Sequence, residues 1–299
     1  HRIKLFSNGT PKAQLGERVP KKDVFITQSL PSPVHRHIMQ LLMMLDIARS
    51  GDAARVTAVI PYYSHGRSDK KDAPRISITA KLLARLIETA GASRLIAMAL
   101  HSAQTHGFFD VPLDHLTALR VMVDHFKKQD LTDTVVVSPD VGYAKQATKL
   151  AYALHLPLAV GSKVRLGDAE VEIATVLGSG GPTPKRAIVI DDEIATGGTM
   201  FEIVQAMSDQ GVKHFSLACT HGLFTGNAID RLKALTCVDE IVCTDTVYAP
   251  HAIKGIPKLQ IESVAPVIGE AIRCNHEGRS VGELFAFWTE DMPPESWFG

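Results

Sequence analysis

Two adjacent carboxylates, Asp191 and Asp192, close an apolar run and are followed at once by a small, hydroxyl-rich stretch, Thr196-Gly197-Gly198-Thr199. Glycines let a backbone curl with its N–H groups inward, hydroxyls add donors, and a helix beginning near Met200 would aim its positive end into the same loop. Such a loop holds a phosphate. The two acids beside it suit the hydroxyls of a sugar or a magnesium ion bridging them. Together these residues describe a pocket for a sugar phosphate, although a solvated acidic turn would use the same residue types.

A second group lies in the first half of the chain. Arg67, Asp69, Lys70, Lys71 and Asp72 crowd one short stretch, which a polyphosphate can use because ammonium and guanidinium groups give charge-assisted donors and an arginine fork grips two phosphate oxygens. Next comes His101, followed by a loop that carries Asp110 and Asp114. A histidine at a strand's end with carboxylates behind it can touch a nucleotide phosphate or its metal.

The elements that must position these groups follow from pattern and punctuation. Ala187 to Ile190 reads as a strand buried on both faces, and its acids emerge at the carboxyl edge, where open α/β sheets bind ligands. In the first half we expect strands at Asp23 to Ser29, Arg55 to Ile60 (ended by Pro61) and Arg94 to Leu100. Helices are expected from about Val34 to Ser50, stopped by Gly51, and from about Ser77 to Thr89. The second half repeats the pattern, with strands at Thr134 to Val137, Pro157 to Gly161, Ala187 to Ile190, Phe215 to Cys219 and Glu240 to Cys243. The fold class is therefore α/β, with two similar doubly wound parallel-sheet domains joined near Leu116 to Val123.

The 299 residues suffice for two domains with full cores. With 32 basic and 32 acidic residues and 45% hydrophobic content, nothing calls for nucleic acid or an acidic membrane surface as partner. Cys219, Cys237, Cys243 and Cys274 lack metal-ligand spacing and read as reduced core thiols, which favours a cytoplasmic compartment. No run of about 18 apolar residues occurs, and the start carries no signal-peptide core, so a soluble, intracellular protein is expected.

Longer patterns carry a resemblance. Pro61-Tyr62 with Arg67, Asp69, Lys70, Lys71 and Asp72, then Leu100-His101 with Gln104, Gly107-Phe108-Phe109-Asp110, Pro112 and Asp114, resemble the ribose-phosphate pyrophosphokinases, the synthetases of phosphoribosyl diphosphate (PRPP). The acid pair and glycine loop resemble the PRPP loop of that family and of type I phosphoribosyltransferases. The likeness continues through Ser138-Pro139-Asp140, Lys163 with Arg165, His221 to Gly226, and Ser280 to Phe285.

The resemblance implies the type I phosphoribosyltransferase-like fold in both domains: residues 1–117 on the ATP side, with the family's first strand and helix absent or unseen, 118–278 for ribose 5-phosphate and PRPP, and a helix and tail over 279–299. It implies transfer of the diphosphoryl group of Mg-ATP to the 1-hydroxyl of ribose 5-phosphate, giving PRPP and AMP. Phe6 would stack on adenine and Asn8 bond its edge, across a subunit boundary, while Arg67, Asp69, Lys70, Lys71, Asp72, Arg75 and Gln104 hold ATP. His101, Asp110, Asp114 and Asp140 would serve magnesium, or manganese in its place. Asp191 and Asp192 would take the ribose hydroxyls, Thr196, Gly197, Gly198 and Thr199 the 5-phosphate, and Lys163, Arg165 and His101 the transferring group. Inorganic phosphate as an activator and a dimer-based homo-oligomer, up to a hexamer, are further implications.

Four positions depart from the family pattern: Ala99 replaces an acid, Thr10 a glutamate, Tyr143 a glycine and Ala195 an aspartate. They leave open a catalytically weak regulatory subunit, and the glycine loop alone leaves open a PRPP-binding phosphoribosyltransferase. Tyr143 is expected to crowd the diphosphate loop, Ala99 to remove a metal contact, and Gly161 and Gly167 to act as hinges.

Overall fold

A computed structural model describes residues 2–166, 170–176, 183–282 and 284. Two compact units emerge, one formed by the chain up to Thr117 with a returning segment from Pro266, the other by Ala118–Ala265.

The first unit opens with a hairpin, β1 (Arg2–Leu5) and β2 (Pro11–Gln14), paired antiparallel from Arg2↔Gln14 to Leu5↔Pro11. Then follow β3 (Asp23–Thr27), α1 (Val34–Ser50), β4 (Arg55–Ile60), α2 (Thr79–Ala90), β5 (Arg94–Met98) and β6 (Leu113–Leu116). The strands form one parallel sheet in the order β3-β4-β5-β6. Both α1 and α2 turn an apolar face to that sheet, so Leu41, Leu45, Ile60, Leu83, Ile87 and Leu95 share one core. Gly91 ends α2 in the left-handed region at φ +119, and a Cβ there would strike the Arg49 side chain at 2.8 Å.

The second unit holds α3 (Leu119–Phe126), β7 (Thr134–Ser138), α4 (Ala144–Ala153), β8 (Leu158–Leu166), β9 (Glu170–Val176), β10 (Arg186–Ile194), α5 (Gly198–Asp209), β11 (His214–Gly222), α6 (Ala228–Ala234), β12 (Val238–Thr244), α7 (Pro250–Gly255) and β13 (Leu259–Glu262). Its sheet runs β13-β12-β11-β10-β7-β8-β9, all parallel except β9. From β7 the chain winds outward through β8 and β9, then crosses back to β10 and winds the other way. The reversal point is the gap between β7 and β10. Their inner residues are wholly buried, as strands covered on both faces require. The two-way winding is seen in this unit, and the first unit's described strands lie side by side in chain order.

One boundary differs from the sequence expectation. The last helix, α8 (Ala265–Glu277), was assigned with residues 118–278 but groups with the first unit. Polar contacts explain why: Asn275 donates to Asp114 Oδ2 at 2.9 Å, His276 Nδ1 lies 3.0 Å from Asp23 Oδ2, and Arg55 pairs with the same Asp23. The tail from Trp288 to Gly299 lies outside the described residues.

In the second unit His125 is buried with Nδ1 2.8 Å from Glu262 Oε1 and Nε2 3.1 Å from Glu240 Oε2. The hydrogen bond to Glu240, assisted by Glu262, holds the imidazole pKa above its ordinary value despite burial. A cation favoured by the fold contributes all its stabilisation below about pH 6.5 and loses it as pH rises through the raised folded value. His125→Gln should therefore lower Tm by about 3–6 °C at pH 6, the size of one or two charge-assisted hydrogen bonds in a chain this long. Thermal melts from pH 5 to 9 should show that gap narrowing toward alkaline pH, and a constant gap would refute the assignment.

Candidate functional site

At the reversal point of the second sheet, β10 carries Asp191 and Asp192 on its final turn of register, Asp191 opposite Cys219 and Glu193 opposite His221 of β11. Ligands of open α/β sheets bind at this place because diverging connections leave a crevice there. Across the gap, β7 ends at Ser138 and leads to Asp140, which is exposed and accepts a hydrogen bond from Tyr143 N at 3.2 Å. Asp191 accepts from Asp192 N at 2.8 Å, and Asp192, nearly buried, accepts from Glu193 N at 2.9 Å. Burial pushes the Asp191 pKa well up, and the negative charges of Asp192 and Asp140 push it further. Three acids that resist sharing their charge make a place where a cation or hydroxyl donors are favoured.

The loop after β10 is a backbone nest. Leu223 N and Phe224 N both donate to Ile194 O at 3.0 Å, Thr225 N donates to Ala195 O at 2.9 Å, and Arg231 Nη1 donates to Thr196 O at 3.2 Å. In a planar trans peptide the N–H points opposite to the C=O. With these three carbonyls turned toward residues 223–231, the N–H groups of Ala195, Thr196 and Gly197 turn the other way. Gly197 then adopts φ +72, a left-handed conformation that glycine takes without strain, and α5 starts at Gly198, two residues earlier than the sequence suggested. The opening N–H groups of α5 have no partner within the helix. The result is a set of converging donors that can hold a phosphate.

Tyr143, expected to crowd the diphosphate loop that follows β7, turns inward. Its ring packs against the second unit's core, and its hydroxyl bonds Thr220 beside Asp191, Asp192 and Cys219. Burial and the two acids raise its pKa, so the phenol keeps its proton. Gly161 likewise has a packing reason instead of a hinge's: a Cβ there would meet Pro139 O at 2.6 Å, where β8 passes the turn that carries Asp140. Gly167 lies outside the described residues. Lys163 and Arg165 belong to the part of β8 that runs beyond its last pairing with β7, Ser138↔Val160, and pairs only with β9. Their side chains lie outside the described residues.

The four cysteines are free thiols, three of them buried. Burial raises Cys219 well above the usual range and Cys243 to about 12, so neither supplies a thiolate nucleophile.

In the first unit the basic stretch begins in the loop after β4. Ser68 ties it to α2, its hydroxyl donating to Ser77 O at 3.1 Å and accepting from Thr79 N at 3.2 Å. Arg67, Lys70, Lys71, Asp72 and Arg75 are exposed, and Asp69 is half-buried. His101 follows β5, the neighbour of β4, and a Cβ on Gly66 would lie 3.5 Å from the His101 Cβ, so basic loop and histidine share one sheet edge. Ser102 caps the next turn, its hydroxyl oxygen accepting from Gln104 N and its O–H donating to Gln104 Oε1. Ala99, where the family has an acid, sits at φ +44, a backbone that Asp or Asn adopts more readily than Ala. At the hairpin turn Phe6 is 54% exposed and Asn8 Oδ1 accepts from Thr10 N at 3.1 Å, leaving the Asn8 amide donors outward of that bond.

Two of the acids named for magnesium lie on this side. Asp114 sits early in β6, opposite Ile96, and its Oδ2 is committed to Arg94 at 2.7 Å and to Asn275, so a fixed cation already neutralises it. Asp110 is exposed, its backbone N–H donating to Glu88 at 2.7 Å. Among the described residues no group of three or more His, Cys, Asp or Glu side chains is arranged to hold a metal. Nor is any described helix long and apolar enough to cross a membrane.

A family model for the N-terminal domain of ribose phosphate pyrophosphokinase matches residues 1–91, and one for the phosphoribosyl synthetase-associated domain matches residues 168–286. The chain is 43% identical over 288 residues to the ribose-phosphate pyrophosphokinase of Deinococcus radiodurans, covering 95% of this chain and 89% of that one. It is 40% identical to the Aquifex aeolicus protein of the same name, over 95% of this chain and 90% of that one. A crystal structure of phosphoribosylpyrophosphate synthetase from Mycobacterium smegmatis superposes with a TM-score of 0.85 at 35% identity, over 93% of this chain and 90% of that one.

Proposed function

The chain belongs to the ribose-phosphate pyrophosphokinase family, and from that premise we propose how its residues divide the work of converting ATP and ribose 5-phosphate to AMP and PRPP. The observation that carries this reading is the meeting of the acid pair with the backbone nest at the reversal point between β7 and β10. The nest takes the 5-phosphate, and Asp191 and Asp192 accept from the ribose hydroxyls. Arg67, Lys70, Lys71 and Arg75, with His101 on the same edge, take the ATP phosphates, while Phe6 and Asn8 serve the adenine.

The ribose 1-oxygen attacks the β-phosphorus. The bond between that phosphorus and the oxygen bridging to the α-phosphorus breaks, AMP departs with the electron pair, and the hydroxyl proton is released. Little covalent work falls to the protein, so catalysis rests on in-line alignment and on balancing phosphate charge. Lys163 and Arg165 supply positive charge to the transferring group.

Magnesium fits the oxygen donors of this site better than a softer metal would, since Asp140, Asp191 and Asp192 are carboxylates whose mutual repulsion a cation relieves. Such an ion would be held by one or two carboxylates and completed by substrate phosphates and water. When bound, it would neutralise polyphosphate charge and polarise the phosphoryl oxygens. Manganese would take the same donors. Reduced thiols favour the cytoplasm, and the exposed Phe6 suits a neighbour in a dimer-based homo-oligomer.

Incubating the protein with Mg-ATP and ribose 5-phosphate should release AMP and PRPP in equal amounts. No AMP at any nucleotide or phosphate concentration would overturn the reading, and AMP formed only after Ala99→Asp would favour the catalytically weak relative.

A further inference from the structure

The second unit contains an arginine that no motif marks and that no step above uses. Arg231 lies on α6, exposed, and its Nη1 donates to Thr196 O at 3.2 Å from outside the loop. The same Nη1 would be 3.4 Å from a Cβ on Gly198, so the guanidinium is packed onto the first residue of α5. It completes a series: the carbonyls of Ile194 and Ala195 are taken by main-chain donors, and only that of Thr196 depends on a side chain. Thr196 is also the residue whose carbonyl direction sets the Gly197 N–H, because one trans peptide plane holds both groups. No ion pair of Arg231 is found among the described residues, and the residue stands exposed beside the nest.

We propose that Arg231 is a positioning residue for the ribose 5-phosphate site: it fixes the Thr196–Gly197 peptide so that the Gly197 N–H points into the nest, and it adds a permanent positive charge next to the 5-phosphate. This rests on the reading that Thr196 to Thr199 bind that phosphate. Gly197, at φ +72, is the residue best able to let the peptide flip once the clamp is gone. The chemistry selects a phosphorylated pentose over an unphosphorylated one, since ribose lacks the group Arg231 serves.

Steady-state kinetics on Arg231→Met, Arg231→Lys and Thr199→Val test this, with ribose 5-phosphate and with ribose as acceptors. Arg231→Met should raise KM for ribose 5-phosphate roughly tenfold, the weight of one charge-assisted hydrogen bond, with kcat and KM for ATP within about twofold. Turnover of ribose should be the same for wild type and Arg231→Met. Arg231→Lys, which keeps the charge and one donor, should recover most of the loss. A merely structural role would lower turnover of both acceptors and the Tm together, and that result overturns the proposal. If Thr199→Val raises KM for ribose 5-phosphate but Arg231→Met does not, Arg231 has no such role while the nest stands. If neither changes it, the 5-phosphate reading itself is wrong.

Discussion

Asp191→Asn is expected to lower kcat/KM for ribose 5-phosphate by at least about a hundredfold, as losing hydrogen bonds from two hydroxyls to a charged acceptor requires, and at the same time to make the fold more stable. The second half follows from electrostatics. Asp191 has its pKa raised by burial and by the charges of Asp192 and Asp140, so ionising it costs more in the fold than in the unfolded chain. For such an acid the fold binds the extra proton. Stability falls as pH rises from the ordinary carboxylate value of about 3.9 through the raised folded value, and stays low above it. Asparagine keeps the shape and an oxygen to accept from Asp192 N, which is 2.8 Å away in the wild type, but it carries no charge. Thermal melts should therefore coincide near pH 4 and separate with rising pH, the variant melting a few degrees higher at pH 8, as relief of about 1 kcal/mol would give in a chain of this size. A variant less stable at every pH, or one within tenfold of wild-type kcat/KM, would show that Asp191 is not the strained acceptor described.

That opposition between stability and function explains why this part of the site was legible in the sequence. Two acids at the end of a doubly buried strand make little sense as packing, and the glycines after them make little sense as helix, so local residue types already point away from the ordinary explanations. The helix Val34–Ser50 and the strand Arg55–Ile60 were legible for a related reason: Gly51 and Pro61 terminate them chemically. Positions whose role depends on distant partners were not. The sequence does not show that Asp114 is held by Arg94, 20 residues earlier, and Asn275, 161 residues later. The same long-range contacts draw α8 to the first unit, against its place in the chain. Tyr143 was read as an obstruction because a sequence gives size but not χ1. In the fold its ring turns inward, toward Thr220. Arg231 was invisible since a basic residue on a short exposed helix is ordinary until its bond to Thr196 is seen. The short strands β6 and β13, four residues each, carry too little alternation to stand out.

The largest loss of turnover should come from Lys163→Ala with Arg165→Ala. The backbone of β8 passes its last pairing with β7 at Val160, opposite Ser138, and continues as one arm of a hairpin. At about 3.3 Å per residue, Lys163 and Arg165 stand roughly 10 and 16 Å beyond that point, on the end of the sheet that also carries Asp140 and the acid pair. Under the proposed division of work, in which the nest takes the 5-phosphate and the Arg67 to Arg75 segment the ATP tail, charge placed there contributes little to binding either substrate. It matters where the diphosphoryl group is in flight and its negative charge is least solvated. Removing both cations should thus lower kcat by about a thousandfold or more, with KM for ATP and ribose 5-phosphate moving by less than about threefold, the pattern of an interaction made in the transition state alone. Each single substitution should cost nearly as much as the pair, since two charges serving one group act as a unit. If instead the double variant keeps kcat within tenfold and loses KM, the hairpin is a binding element and not the source of the charge for transfer.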